Sequence, residues 1–186
     1  MIAKRGAALE AQWQSLLNSY AKSYPNEHAE LTRRISGRLP VGWENTLPVY
    51  KSSDPAQASR KLSEIVLTAL TPALPDLLGG SADLTGSNLT KVKGSVDLQP
   101  ESTGLRSYSG TYIRYGVREH GMGAIANGLS AYGGIIPFIG TFLNFVSYAS
   151  GAVRLSALSR HQVIWVGTCT AWRVTMMSVI HNISAT

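Results

Sequence analysis

Glu119 is the residue with the most pointed chemistry. It stands in "RYGVREHGMGAIANGLSAYG", residues 114–133, where Arg118, Glu119 and His120 open a run of Gly, Ala, Met, Ile and Leu. A carboxylate near a helix start is favoured by the positive end of the helix dipole. Helical spacing also puts Glu119 on one face with Gly123 and Ala126, where packing would desolvate it and favour the neutral acid. A carboxyl held between those tendencies is suited to proton exchange near neutral pH. The competing reading is a first-turn Glu that pairs with Arg118 or caps its own helix.

Three other groups could serve a ligand. "GGSADLTGSN" offers paired glycines and the side chains of Ser81, Asp83, Thr85, Ser87 and Asn88. It reads as a ligand-approaching loop or as a turn with N-cap residues. "FLNFVSYASG" spaces Phe142, Phe145 and Tyr148 three apart, giving one aromatic wall on a helix start. The wall is either core or the side of a pocket for a flat ligand, and Asn144 within it needs polar partners if buried. Arg60 opens a helix where a cation opposes the dipole, so it serves packing or an anion. His28, His161 and His181 have no metal-ligand spacing, and no metal site is expected.

These groups need a frame. Residues 57–168 alternate strand-like runs ("DLLGG", "YIRYG", "GIIPFIGTF", "QVIWVGT") with helical stretches, the pattern of a parallel sheet covered by helices on both faces. The expected fold class is therefore α/β, a parallel sheet with helices on both faces, preceded by a helical segment. The loops after the strands at 77–79 and 135–139 leave carboxyl ends, where open parallel sheets bind ligands. Upstream, Leu9, Trp13, Leu16, Leu17 and Tyr20 form one apolar helical face. Pro25 ends that helix, Asn26 caps a second, and Gly37 closes it. The proline-bearing stretch 38–57 reads as an extended connector, with a boundary near residue 56.

Composition narrows the function classes. The chain has 186 residues, 44% hydrophobic and 15% charged, with net charge +6. Its basic residues are scattered, which argues against nucleic acid and agrees with anionic small molecules. The single cysteine, Cys169, allows no intrachain disulfide and fits a reducing, cytoplasmic setting. No apolar stretch approaches the roughly 20 residues of a membrane span, so no membrane partner is expected.

"GGSADLTGSNLT", "YIRYGVREHGMGAIANGLSAYGG" and "GTFLNFVSYASGAVRLSALSRHQVIWVGT" resemble the pyrimidine-binding domain of transketolases. Residues 6–64, "GAALEAQ" to "SRKLSE", resemble the family's connector between its first and second domains. The resemblance implies thiamine diphosphate with a divalent metal, Mg or Ca, bound by the first domain of a homodimer. It implies transfer of a two-carbon ketol unit between sugar phosphates, as in the pentose phosphate pathway. Position by position, Glu119 matches the glutamate on the pyrimidine ring nitrogen, and Phe142, Phe145 and Tyr148 match the aromatic pocket. Asp83 matches an acidic residue of the cofactor-substrate loop, and Arg60 and Ser87 match sugar-phosphate positions.

The resemblance also sets limits. The chain begins within the connector, so the first domain with its Gly-Asp-Gly motif, and the C-terminal domain, are expected to lie outside it. After Thr168 the family's His-Asp pair is replaced by Cys169 and Thr170, and residues 169–186 contain no Asp, Glu, Gly or Pro. That tail is expected to be foreign to the family, as a shifted reading frame or retained intron would leave it. The expected segments are thus 1–56, connector; 57–168, partial pyrimidine-binding domain; and 169–186, divergent tail. The alternatives are a non-catalytic binding or regulatory fragment that pairs with a full-length enzyme, a dihydroxyacetone synthase, or a deoxyxylulose-phosphate synthase.

Overall fold

The computed structural model describes residues 2–104 and 107–168. The divergent tail expected at 169–186 lies outside them. The chain divides into two compact units, residues 1–39 and 40–186.

The first unit is a pair of helices, α1 (Ile2–Ser23) and α2 (Pro25–Ile35). Pro25 does two jobs: it ends α1 and opens α2, where a missing N–H is no loss. The expected Asn26 cap is therefore displaced by Tyr24, whose side chain makes no capping bond. Gly37 closes α2 as expected, at φ +69°. Its N–H donates to the Arg34 carbonyl, and that of Arg38 donates to Arg33, the paired bonds of a Schellman motif. Arg33 grips Glu30 with Nε and Nη2 at 2.8 and 2.7 Å. Along α1 the expected apolar face is only partly used, for Leu9, Trp13 and Leu16 remain exposed.

The second unit is the α/β domain. Helix α3 (Ser59–Ala73) leads into β1 (Leu77–Ser81), then a short helix α4 (Thr85–Asn88). Next come β2 (Tyr112–Arg114), α5 (Glu119–Tyr132), β3 (Ile136–Phe142), a 3-10 segment (Leu143–Ala149), α6 (Ser150–Leu158) and β4 (Ile164–Thr168). The four strands are all parallel, in the order β2-β1-β3-β4.

The period of two along the strands makes two cores. Ile139 and Trp165 face α5 and α6 and pack with Met122, Ala126 and Ala152. Phe138 and its neighbours face α3 and pack with Leu67, Leu74 and Leu77. Helices therefore cover both faces of the sheet, as the alternating pattern predicts. Trp43, from the proline-bearing stretch, packs against the α3-side core. The polar loop before β2 runs along the outer edge of that strand: Leu98 N–H donates to Tyr112 and Tyr112 N–H to Val96. This covers an edge that would otherwise be open to pairing.

Two expectations change. The "GG" pair is not loop: β1 continues through Ser81. A Cβ on Gly79 would lie 1.9 Å from the Phe138 carbonyl oxygen, and one on Gly80 lies 1.7 Å from that of Ile113. These glycines admit neighbouring strands rather than a ligand. The aromatic residues also do not sit on an α-helix start, since Leu143–Ala149 is 3-10 and α6 begins only at Ser150.

Candidate functional site

The order β2-β1-β3-β4 reverses direction between β1 and β3, and a crevice opens at such a point beyond the carboxyl ends. Ser81, Phe142 and Thr168 mark those ends. Most of the predicted site residues follow them.

Glu119 is the first residue of α5, so the helix starts two residues later than the 117–132 that the sequence pattern predicts. It lies on the buried face with Met122, Gly123, Ala126 and Asn127. Its relative exposure is 8%, yet among the described residues no hydrogen bond or ion pair reaches its carboxyl. The bland alternatives fail for a specific reason. The Arg118 guanidinium folds back, and Nη1 donates to the Tyr115 carbonyl at 3.1 Å. No side-chain cap closes the helix start either. Burial makes a lone carboxylate costly, while the helix N-terminus and residual contact with solvent offset part of that cost.

Helix α5 packs against the 3-10 segment that follows β3. This segment explains the aromatic wall. A 3-10 helix has three residues per turn, so side chains three apart eclipse. Phe142 and Phe145 have ring centroids 5.7 Å apart, and Phe145 and Tyr148 6.1 Å, all tilted. Tyr148 is 70% exposed, whereas Phe142 and Phe145 are half-buried. The wall is thus a surface with an open side rather than core. Asn144 is exposed, so the partners a buried amide would need are not required.

The loop after β1 sorts its polar residues into two sets. Asp83 and Ser87 are exposed, and Asp83 sits at φ +61°, a conformation Asp tolerates better than most residues. Ser81 and Asn88 are fully buried and bond to the protein instead. Thr85 accepts the Tyr112 hydroxyl at 2.9 Å. Arg60 comes from a different element, the first turn of α3, and is exposed with no bonding partner among the described residues. Among the described residues no three His, Cys, Asp or Glu side chains gather as a metal site.

Residues 56–175 match the family described as transketolase, pyrimidine binding domain. The chain belongs to the transketolase family. Residues 1–40 match the family described as transketolase, thiamine diphosphate binding domain. The pyrimidine-domain match also runs past Thr168 to residue 175. The chain is 63% identical over 164 residues to the transketolase of Kluyveromyces lactis, and 58% identical over 168 residues to transketolase 1 of Saccharomyces cerevisiae. Those alignments take 88% and 90% of this chain but only 24% and 25% of the relatives, so the chain spans about a quarter of their length. A Pichia stipitis transketolase solved with sedoheptulose 7-phosphate superposes with TM-score 0.84 at 57% identity, covering 88% of this chain and 24% of that one. The Leishmania mexicana transketolase gives 0.80 at 50% identity, covering 88% and 24%.

Several supporting residues carry no motif in the sequence. Asn127 Nδ2 donates to the Ala152 carbonyl at 3.0 Å and its Oδ1 accepts the Ser156 hydroxyl, tying α5 to α6. Lys91 Nζ and Arg114 Nε both reach Asp97, at 2.6 and 2.9 Å. Burial opposes the Asp97 charge, but these two hydrogen bonds outweigh it and hold the carboxyl below its ordinary range. The only sequence signal for Asn127 is an amide on an otherwise apolar helix face.

Proposed function

We propose that this chain supplies the aminopyrimidine-binding part of a thiamine diphosphate-dependent transketolase. The observation that carries the reading is Glu119: a buried residue whose carboxyl has no partner among the described residues, at the head of a helix packed against a partly open aromatic wall. Such a donor set fits a flat, nitrogen-bearing heteroaromatic ring, with rings for its faces and a carboxyl for its edge.

Thiamine diphosphate, when bound, supplies the electron sink that lets a two-carbon ketol unit pass between sugar phosphates. The residues of this chain do the rest by holding and by moving protons. Glu119 bonds the pyrimidine ring nitrogen and shares a proton with it. Phe142, Phe145 and Tyr148 pack on the ring and fix its orientation. Asp83 takes part in the cofactor-substrate loop. Arg60 and Ser87 bind the sugar phosphate, and the net charge of +6 favours such anions.

The diphosphate and a divalent metal, Mg or Ca, belong to a first domain from a partner in a homodimer. That division makes the isolated chain inactive in ketol transfer. No helix among the described residues is long and apolar enough to cross a membrane, and the lone cysteine fits the cytoplasm. The test is a coupled assay with xylulose 5-phosphate and ribose 5-phosphate plus thiamine diphosphate and magnesium. The pure chain should give background rates. A chimera in which its residues 4–168 replace the matching segment of the K. lactis enzyme should turn over. An active isolated chain, or a folded but inactive chimera, overturns the reading.

A further inference from the structure

Asn88 is fully buried, so it cannot meet a ligand, and both ends of its amide are engaged. Its Nδ2 donates to Ser81 Oγ at 3.2 Å, at the end of β1. Its Oδ1 accepts from Thr168 Oγ1 at 2.7 Å, at the end of β4. Strand β3 lies between those two strands in the sheet. Asn88 spans it at Gly140, where an added Cβ would come within 3.5 Å of Asn88 Nδ2 and 2.5 Å of Thr90 Cγ2.

Ser81 extends the network. Its hydroxyl donates to the Gly140 carbonyl at 3.1 Å and accepts the Leu84 N–H at 3.3 Å. With the Asn88 donation, the Ser81 hydroxyl has used its one donor and both acceptor sites. Leu84 in turn accepts the N–H groups of Ser87 and Asn88, at 3.0 and 2.8 Å. An unbroken set of bonds therefore runs from Thr168 to the backbone of Ser87.

The turn it holds is one that would not hold itself. Asp83 and Leu89, at φ +61° and +54°, bracket it in left-handed backbone. Non-glycine residues persist there only when their surroundings over-determine them. The four-residue helix between them is too short to be stable alone.

We propose that Asn88 is a positioning residue: it fixes the turn bearing Asp83 and Ser87 to the end of β4, so that contacts to the sugar phosphate are set from a strand two places away in the sheet. The ligand-facing roles of Asp83 and Ser87 rest on the function proposed above; the coupling itself rests on the bonds alone.

The test is amide hydrogen exchange by NMR on the purified 186-residue chain. Thr168→Val keeps the shape and removes the hydroxyl. It should speed exchange at Leu84, Ser87 and Asn88 at least tenfold and leave α6 amides unchanged. Thr168→Ser should restore protection, and Asn88→Ala combined with Thr168→Val should add little to either alone. A ribose 5-phosphate titration followed at the Ser87 amide should weaken several-fold in Thr168→Val and not in Thr168→Ser. Unchanged exchange at Leu84 and Ser87 in Thr168→Val overturns the coupling, as does a Thr168→Ser variant no better than Val. If the unmodified chain shows no Ser87 response to ribose 5-phosphate, the isolated chain does not bind it unaided and the exchange data still decide the coupling.

Discussion

Gly123→Ala should destabilise the α/β unit, although alanine is the better helix former. Gly123 sits on the buried face of α5, one turn after Glu119. A Cβ there would lie 2.6 Å from Trp165 Cη2 and 2.8 Å from Ala152 Cβ. Carbon atoms prefer about 3.5–4.0 Å, so both contacts overlap by roughly 1 Å. Neither neighbour can yield cheaply, since one is the end of a buried rigid ring and the other is fixed to the α6 backbone. Overpacking of this kind costs about 1–3 kcal/mol. Replacing a helical Gly with Ala returns about 1 kcal/mol. The net expectation is a loss of up to about 2 kcal/mol. Gly128 supplies the control, being exposed on the same helix with nothing within 4 Å of an added Cβ. Gly128→Ala should therefore stabilise by about 1 kcal/mol. Urea titrations of the two variants measure the difference with propensity cancelled. A Gly123→Ala midpoint raised as much as that of Gly128→Ala would refute the packing of α5 on β4 and α6.

Burial pushes the Tyr115 hydroxyl up to about 12, and among the described residues it has no hydrogen-bond partner. In the unfolded chain tyrosine ionises near pH 10, so the unfolded state loses its proton first and stability falls as pH rises from about 10 to 12. Tyr112 is raised by burial too and adds to the slope. Tyr115→Phe should flatten part of that fall in urea titrations at pH 9 and 11, and should be stabilising by about 1 kcal/mol at neutral pH. Asp97 gives the opposite sign: held below its ordinary range, it contributes stability above about pH 4 that is lost on acidification. Asp97→Asn should cost about 1 kcal/mol at pH 7 and soften the acid limb, measured by thermal melts from pH 7 down to pH 3. In the K. lactis chimera, Arg60→Ala should raise KM for ribose 5-phosphate with little change in kcat, and an unchanged KM would count against a phosphate contact.

The parallel sheet was legible because its strands are buried on both faces and read as short apolar runs between helices. The buried face of α5 was legible for the same reason, from Glu119, Gly123 and Ala126 at helical spacing. What is not legible depends on distance in space. Nothing local marks Asn88 and Thr168, 80 residues apart, as partners. Nothing local shows that the arginine next to Glu119 turns to a backbone carbonyl. The glycines of β1 are ambiguous in the sequence because a Gly pair looks the same whether it admits a ligand or a neighbouring strand. The aromatic wall was found with the wrong helix type, as a spacing of three suits 3-10 and α-helix alike.

Glu119→Ala in the K. lactis chimera tests the central claim most directly, with kcat and the thiamine diphosphate dissociation constant measured on the same preparation. Loss of a positioned proton-transfer group lowers rate by about 10²- to 10⁴-fold. The expected result is a fall in kcat of that size with cofactor affinity changed far less. Near-normal turnover, or a loss of affinity that accounts for the whole defect, would remove Glu119 from proton transfer.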